Sequence, residues 1–520
     1  MIPESTLKVE VGKAQPYYAV PSRWEFRPVL PLTTNGKIDK NALWESVTTL
    51  REKTVTVPQN AIIKSEKQIS LYSNNEISRS SSNGSDTESK HEWTLPEKKG
   101  VHGLRALRHR FFSVYRRFLS IVLIGNIIGM IAAIMFSSKG KSLEVLGLAC
   151  AINLTISILT RQDYVLNALF TICCSVPVSM PLWIRARCAK IYHIGGIHSG
   201  CGVAAAVWLV LFSGAATIAK TSVAVQVVSY LIIVLLLAII VTAQPKFRSR
   251  LHNKFELVHR FAGWSALALF WIQTILLADD TRGSNLLGNE LKKNPVMWLL
   301  VIATISVIVP WLHLRKVNVR SEVLSSRAVR LYFDYAHPVS GAAVRLSSNP
   351  LTEWHAFATI TNPEEKGFSV LVSNAGDWTK HQIDTAPSKI WVRGIPTCGV
   401  IRISTLFKKV VLVATGSGIG PCLPVIYAKN IPARIFWSTP NPELTFGSGI
   451  INAIKAADGD AVIHNTKTMG RPDMVAITYR LLKESGAEAV VVISNQKLTQ
   501  LVVYAMEARG IPAYGAIFDS

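Results

Sequence analysis

Two glycines and a proline at fixed spacing, Gly416-x-Gly418-x-x-Pro421, follow the apolar run Val410 to Ala414. Glycine lets backbone approach a pyrophosphate closely, and the free N–H groups of a helix starting there favour an anion. The turn therefore predicts a nicotinamide-nucleotide site built on Gly416, Gly418 and Pro421. Trp437-Ser438-Thr439 closes the next strand-like run, where an adenine ribose would lie. Asn465-Thr466 and Gly470-Arg471-Pro472-Asp473 make a turn toward the same face. Ser438 or Arg471 is thus placed to read a 2′-phosphate, and the pattern leaves NADH and NADPH unseparated.

These residues need strands to carry them. From residue 408 onward VVLVA, ARIFWS, AVIHNT and AVVVIS alternate with helical stretches, as in a doubly wound nucleotide domain. Between 316 and 408 the short runs VRLYFDY, WHAFATI, FSVLVS and KIWVRGI read as a small β-barrel.

Upstream the chain changes character. Hydrophobic residues make up 49% of the 520 residues and the mean hydropathy is +0.28, high for a soluble protein of this size. Apolar stretches at 118–136, 143–160, 200–219, 223–243, 261–278 and 296–313 each approach the ~20 residues that cross a bilayer. Residues 164–184 are equally apolar but hold Pro177 and Pro181. Arg161, Arg185, Arg187 and Lys190 lie on one loop, Lys246, Arg248, Arg250, Lys254 and Arg260 on another, and Arg315, Lys316 and Arg320 follow the last stretch. Six spans put all three groups on the cytoplasmic side, so 164–184 is expected to be re-entrant or interfacial, with both termini cytoplasmic. The net charge of +23 is concentrated at the ends of these stretches, which favours membrane lipid over nucleic acid as its partner. The first thirty residues lack an apolar signal region, so the first span is expected to act as its own insertion signal. Seven cysteines form no CxxC pair and read as reduced thiols.

Two resemblances sharpen the reading. Leu30-Pro31-Leu32-Thr33-Thr34-Asn35-Gly36-Lys37-Ile38-Asp39-Lys40 resembles the last core motif of adenylate-forming enzymes, in which the lysine aligned with Lys37 contacts carboxylate and phosphate. Glu353-Trp354-His355-Ala356-Phe357-Ala358-Thr359 resembles the His-Pro-Phe-Thr flavin motif of the ferric reductase and NADPH oxidase family, with Ala356 and Ala358 replacing the proline and a hydroxyl residue. That resemblance implies FAD held by His355, Phe357 and Thr359. Gly376-Asp377-Trp378-Thr379 and Trp391-Val392-Arg393-Gly394 are then expected on later strands of the same domain. Arg393 becomes the candidate for the FAD pyrophosphate, because a guanidinium grips phosphate bidentately. Ser494-Asn495 stands in place of the Cys-Gly pair usual in flavin reductases, and Phe518 is placed to cover the flavin ring.

Over residues 100–520 the chain resembles the fungal Tmp-type transmembrane flavoproteins, some of which carry an adenylation domain ahead of six spans. The expected organisation is an adenylation remnant (1–45), a disordered linker (46–100), a six-span ferric-reductase-like bundle (101–315), a FAD-binding β-barrel (316–405) and an NAD(P)-binding α/β domain (406–520). Electron-carrying relatives stack two haems between histidine pairs thirteen or fourteen residues apart. Here Phe212 and Gln273 occupy the outer positions, so at most one haem b is expected, held by His198 and His259 with His193 and His252 nearer the loops. The resulting expectation is a membrane oxidoreductase moving electrons from cytosolic NAD(P)H to FAD and on to an unidentified acceptor, with a part in redox homeostasis. The competing expectation is a nucleotide-binding redox sensor or regulator with little turnover.

Overall fold

A computed structural model describes residues 94–136 and 142–516. Lys37, the adenylation motif, most of the linker and Phe518 lie outside the described residues.

After a short helix α1 (His102–Ala106), six apolar helices form a bundle: α2 (Val114–Phe136), α3 (Ser142–Leu159), α6 (Gly195–Ile218), α7 (Val223–Thr242), α9 (His252–Thr281) and α11 (Pro295–Leu312). Small residues let them approach closely, and Ala204, Ala205, Leu209, Phe212, Ile232 and Phe270 form the bundle's buried centre. Five of the six are long and apolar enough to cross a membrane. The remaining one reaches that length only together with α4 (Asp163–Cys174), from which it is bent by 73°. The fifth apolar stretch begins nine residues earlier than its hydropathy indicates: α9 opens at His252, so His252 and His259 both lie inside the helix. Short helices α8 (Pro245–Arg250) and α10 (Leu287–Lys293) connect the longer ones.

Residues 160–194 follow a path of their own. Gln162 caps α4 by accepting from the amides of Tyr164 and Val165, which turns the chain away from the α3 axis. Phe170 on α4 and Ala189, just after α5 (Leu182–Cys188), are buried in one cluster with Ile401, Leu406, Val410 and Ala414. One face of this stretch is therefore packed into the strand-rich half of the molecule, while Tyr164, Ile172, Val178, Met180 and Trp183 stay exposed.

Seven strands make the barrel: β1 (Arg315–Asn318), β2 (Arg320–Ser325), β3 (Ala328–Phe333), β4 (Ala342–Ser347), β5 (His355–Ala358), β6 (Phe368–Ser373) and β7 (Lys389–Cys398). One antiparallel sheet runs β1-β7-β4-β5 and the other β2-β3-β6, bridged by Ile360 and Ser369. Val329, Leu331, Val344, Leu346, Val370 and Val392 fill the interior, following the alternation of a half-buried strand. Gly376–Thr379 is not a strand. The Thr379 hydroxyl accepts from the amides of Ala375 and Gly376 at 2.8 and 3.0 Å and starts helix α12 (Asp377–Thr385), whose Ile383 caps the barrel.

The last part is a parallel sheet in the order β10-β9-β8-β11-β12, from β8 (Val410–Thr415), β9 (Ala433–Thr439), β10 (Val462–Asn465), β11 (Ala489–Ile493) and β12 (Ala513–Gly515). Both faces are covered, which explains the apolar runs of the central strands β8 and β11. Helices α13 (Ile419–Ala428) and α15 (Ser448–Ala457) pack on one face, with short α14 (Pro442–Phe446) before α15. Helices α16 (Met474–Ser485) and α17 (Gln496–Glu507) pack on the other. The chain leaves β8 toward β9 on one side and reaches β11 on the other, so the carboxyl ends of β8 and β11 flank the topological switch point.

Candidate cofactor sites

The glycine turn stands at that switch point. Gly416 has φ +52°, and a 3-10 turn over Gly416–Gly418 leads into α13. The Trp437 indole donates to the Gly416 carbonyl at 2.9 Å and pins the turn from β9. A Cβ on Gly418 would lie 2.2 Å from the Ile493 carbonyl oxygen, so only glycine lets β11 pass this close. Pro421, in the first turn of α13, costs no helical hydrogen bond there. Across the crevice the Thr415 and Ser494 hydroxyls are 2.6 Å apart, tying the ends of β8 and β11 together.

Ser438 is buried near the end of β9 and pairs in register with His464 of β10. His464 Nε2 lies 2.9 Å from the Gly470 carbonyl, which folds back the loop carrying exposed Arg471. Asn465 Oδ1 accepts from the amides of Asn441 and Lys467, both at 3.0 Å, joining the loops after β9 and β10. Ser438 and Arg471 therefore share the carboxyl edge with Gly416 and Gly418.

A second site lies where the barrel meets the bundle. A cavity of about 370 Å³ is lined by Glu256, His259 and Arg260 of α9 and by Arg345, Trp354 and Arg393 of the barrel side. Arg345 and Arg393 are direct cross-strand partners on the outer face of β4 and β7, an arrangement costly for like charges. The Arg393 guanidinium sits 4.7 Å from the Trp311 ring centre and 4.8 Å from that of Trp354. Its Nε is buried without a hydrogen-bond partner, as is His259 Nδ1. Burial, then the charges of Arg345 and Arg260, bring the Arg393 pKa down to about 10. Arg345 is paired with Asp163 and Arg260 faces Glu256 at 3.8 Å, so Arg393, with its Nε unspent, is the cation left to meet an anion.

A β-bulge holds this corner in place. The β4–β7 register shifts between Ala343 and Arg345, and Gly394 takes φ +69° opposite it. Asp163 and Asn167, one turn apart on α4, fit into the gap. Asp163 Oδ1 accepts from Arg345 at 2.9 Å, while the Asn167 side chain donates to the Pro396 carbonyl and accepts from the Cys398 amide at 2.9 and 2.8 Å. The φ of +69° favours glycine at 394, and a Cβ there would also lie 2.2 Å from Asp163 Oδ2 and push that carboxylate aside. Arg260 donates to the Leu351 carbonyl from the bundle side.

His355 and Phe357 belong to the opposite face of the same sheet. They pair with Leu346 and Val344, whose side chains point into the barrel, and both stack on Trp378 of α12 with ring centres 4.2 and 5.7 Å away. Ala356, not His355 or Phe357, lines the cavity with Arg393. The Thr359 hydroxyl is buried and donates to the Ala342 carbonyl at 3.0 Å. His198 and His259 face each other across the bundle end with ring centres 6.1 Å apart, and His198 Nδ1 lies 2.8 Å from the Ser157 carbonyl. Among the described residues no group of three or more His, Cys, Asp or Glu side chains could hold a metal ion.

Sequence reasoning missed Arg345, Arg260 and Asp163. An arginine in the middle of the apolar strand AAVRLS was a readable signal; Asp163 gave none, because its partner is 182 residues away.

Residues 400–520 match the family described as the C-terminal domain of adenylate-forming reductase 03009. Adenylate-forming reductases 03009 and 06235 of Coprinopsis cinerea are each 44% identical to this chain, over 99% of it and 54% of their own length. The chain thus spans about half the length of the curated relatives it matches. Among solved structures, a Neisseria gonorrhoeae ferredoxin NADP+ reductase with bound FAD and NADP is similar at 11% identity and a TM-score of 0.33, covering 39% of this chain and 98% of that one. Phthalate dioxygenase reductase is similar at 18% identity and a TM-score of 0.31, covering 39% and 67%.

Proposed function

We propose that this chain is a membrane-bound oxidoreductase that moves electrons from cytosolic NAD(P)H through FAD to an unidentified acceptor, in the service of redox homeostasis. The observation that carries the reading is the pairing of a glycine turn at the switch point of a parallel sheet with a three-arginine cavity at the seam between barrel and bundle. Gly416 and Gly418 admit the NAD(P)H pyrophosphate, and Ser438 with Arg471 faces its ribose end. Arg393, Arg345 and Arg260 fit the FAD diphosphate, since the unspent Arg393 Nε and the cavity volume leave both a donor and room for it. When bound, FAD supplies a centre that takes two electrons and releases them singly. The tryptophans at 311 and 354 hold Arg393 in place and keep water from its faces.

The six apolar helices are read as membrane spans with both termini cytoplasmic, because exposed Ile121, Ile124, Ile128 and Ile134 on α2 suit lipid and arginines gather at the barrel end. The relatives' name joins a reductase to adenylate formation, and the motif around Lys37 agrees with that pairing. The Tmp-type, ferric-reductase-like assignment is part of the same proposal.

An absorption spectrum of the purified chain in detergent is the test. Flavin bands are expected in the wild type and should be lost or strongly weakened in Arg393→Ala; a colourless protein that takes up no added FAD refutes the reading. A Soret band in the same spectrum, lost in both His198→Ala and His259→Ala, would establish haem b at His198 and His259. The competing reading, a redox sensor, is favoured by Ser494 standing where a Cys-Gly pair is usual, its hydroxyl engaged by Thr415. Bound flavin without steady-state NAD(P)H oxidation would decide for it.

A further inference from the structure

The segment leading into α2 has two unlike sides. One is fastened to the nucleotide domain: the Lys99 amide donates to the Ala508 carbonyl at 2.8 Å, Arg509 Nε to the Pro96 carbonyl at 2.7 Å, and His109 Nδ1 lies 3.1 Å from Glu507. Lys98 sits over the Tyr504 ring at 5.0 Å. The other side is bare. Val101, Leu104 and Phe111 are 69%, 66% and 60% exposed, and Leu107 and Phe112 are exposed beside them.

Cations frame this apolar side. Arg108 and Arg116 are exposed, and the Arg116 guanidinium lies 6.0 Å from the Phe111 ring centre. Arg105 is different, being folded back onto the Lys98 and Gly100 carbonyls at 2.6 Å each. Helix α2 begins at Val114, directly after Phe112 and Ser113, and the apolar window of that span has no buried residue. With α2 in lipid, residues 101–112 lie at headgroup depth, where apolar side chains can sink and arginines meet phosphate.

We propose that residues 101–112 form an interfacial foot seated on acidic phospholipid, which holds α17 of the nucleotide domain against the membrane surface. The proposal rests on the membrane reading above. It commits to a lipid surface because the bare side is continuous with a span and carries basic residues at its rim.

The test is hydrogen exchange of the full chain in nanodiscs of phosphatidylcholine, with or without phosphatidylserine. Amides of 101–112 should exchange more slowly in the acidic discs, with about fivefold lost for each arginine removed. Arg108→Gln with Arg116→Gln should therefore abolish a difference of about 25-fold, and raised salt should do the same in the wild type. Leu104→Ser with Phe111→Ser, which keeps the charges, should raise exchange in both kinds of disc. Equal exchange of wild type in the two discs overturns the inference, as does a double arginine variant that behaves like wild type. Release of the chain from membranes by alkaline carbonate would instead overturn the membrane reading itself.

Discussion

Gly418→Ala isolates the close passage of β11 over the nucleotide turn. Gly418 has φ −59°, which alanine adopts freely, so the only cost is steric. The new methyl would stand 2.2 Å from the Ile493 carbonyl oxygen. Ordinary contact requires the two to separate by more than an ångström, and the 2.6 Å Thr415–Ser494 hydrogen bond resists that separation. Overpacking of this kind costs about 1–3 kcal/mol, which weakens nucleotide binding by about 5- to 150-fold if it falls wholly on the bound geometry. Gly416→Ala is the contrast: its Cβ meets nothing within 4 Å, and only the φ of +52° opposes it. That strain is about 1–2 kcal/mol, and Gly416→Asn should recover part of it. The assay is calorimetric titration with NADPH and NADH on the purified chain, with flavin absorbance and a thermal melt as controls. Wild-type nucleotide affinity and wild-type melting in Gly418→Ala would refute the argument.

Two further predictions concern how the halves are joined. Arg185 is 3% exposed and holds the part-exposed Glu488 through two bonds of 2.7 and 3.0 Å while also donating to the Leu406 carbonyl; Arg185→Ala should destabilise the chain by about 1.5–3 kcal/mol. Arg185→Met with Glu488→Leu should cost much less by chemical denaturation, and equal losses would show the pair is not what matters. Burial alone would raise the Glu507 carboxyl, but the hydrogen bond to His109 and the charge of Lys190 overcome it and hold it at about 2 against an ordinary 4.5. Because the folded value is the lower one, this contribution is complete above about 4.5 and fades as pH falls toward 2. Melting temperature should therefore drop more steeply below pH 4.5 in wild type than in Glu507→Gln; parallel slopes would contradict it.

The parallel sheet was readable because its central strands are buried on both faces, and the uninterrupted apolar runs of β8 and β11 before turn residues admit few alternatives. The barrel was less so. The flavin-motif resemblance places Gly376–Thr379 on a strand, whereas the spacing of Gly376 and Thr379 makes a helix start, closed by a hydroxyl on two amides. Parity alone puts His355 and Phe357 on one face of β5; whether Arg393 shares it depends on the β4–β7 register, and a bulge at Gly394 sets that register. No local pattern encodes the bulge, because what fills it comes from α4, more than two hundred residues earlier.

The same contacts decide how the two halves act together. If the bundle were an anchor on a tether, the segment between α3 and α6 would be polar and would touch the barrel sparsely. Instead Phe170 and Ala189 are buried with Leu406 and Ala414, Asp163 and Asn167 fill the β7 bulge, and Arg185 and Lys190 reach Glu488 and Glu507. The end of α3 and the start of α6 are thereby fixed against the barrel and the nucleotide sheet, and α9 is fixed there by Arg260. His198, His259 and the three-arginine cavity consequently keep one geometry, and that geometry depends on α4 as much as on the strands that carry Arg345 and Arg393. Severing the chain at residue 314 would strip the strand-rich half of part of its own core, so loss of activity in such a fragment would say nothing about where the electrons go.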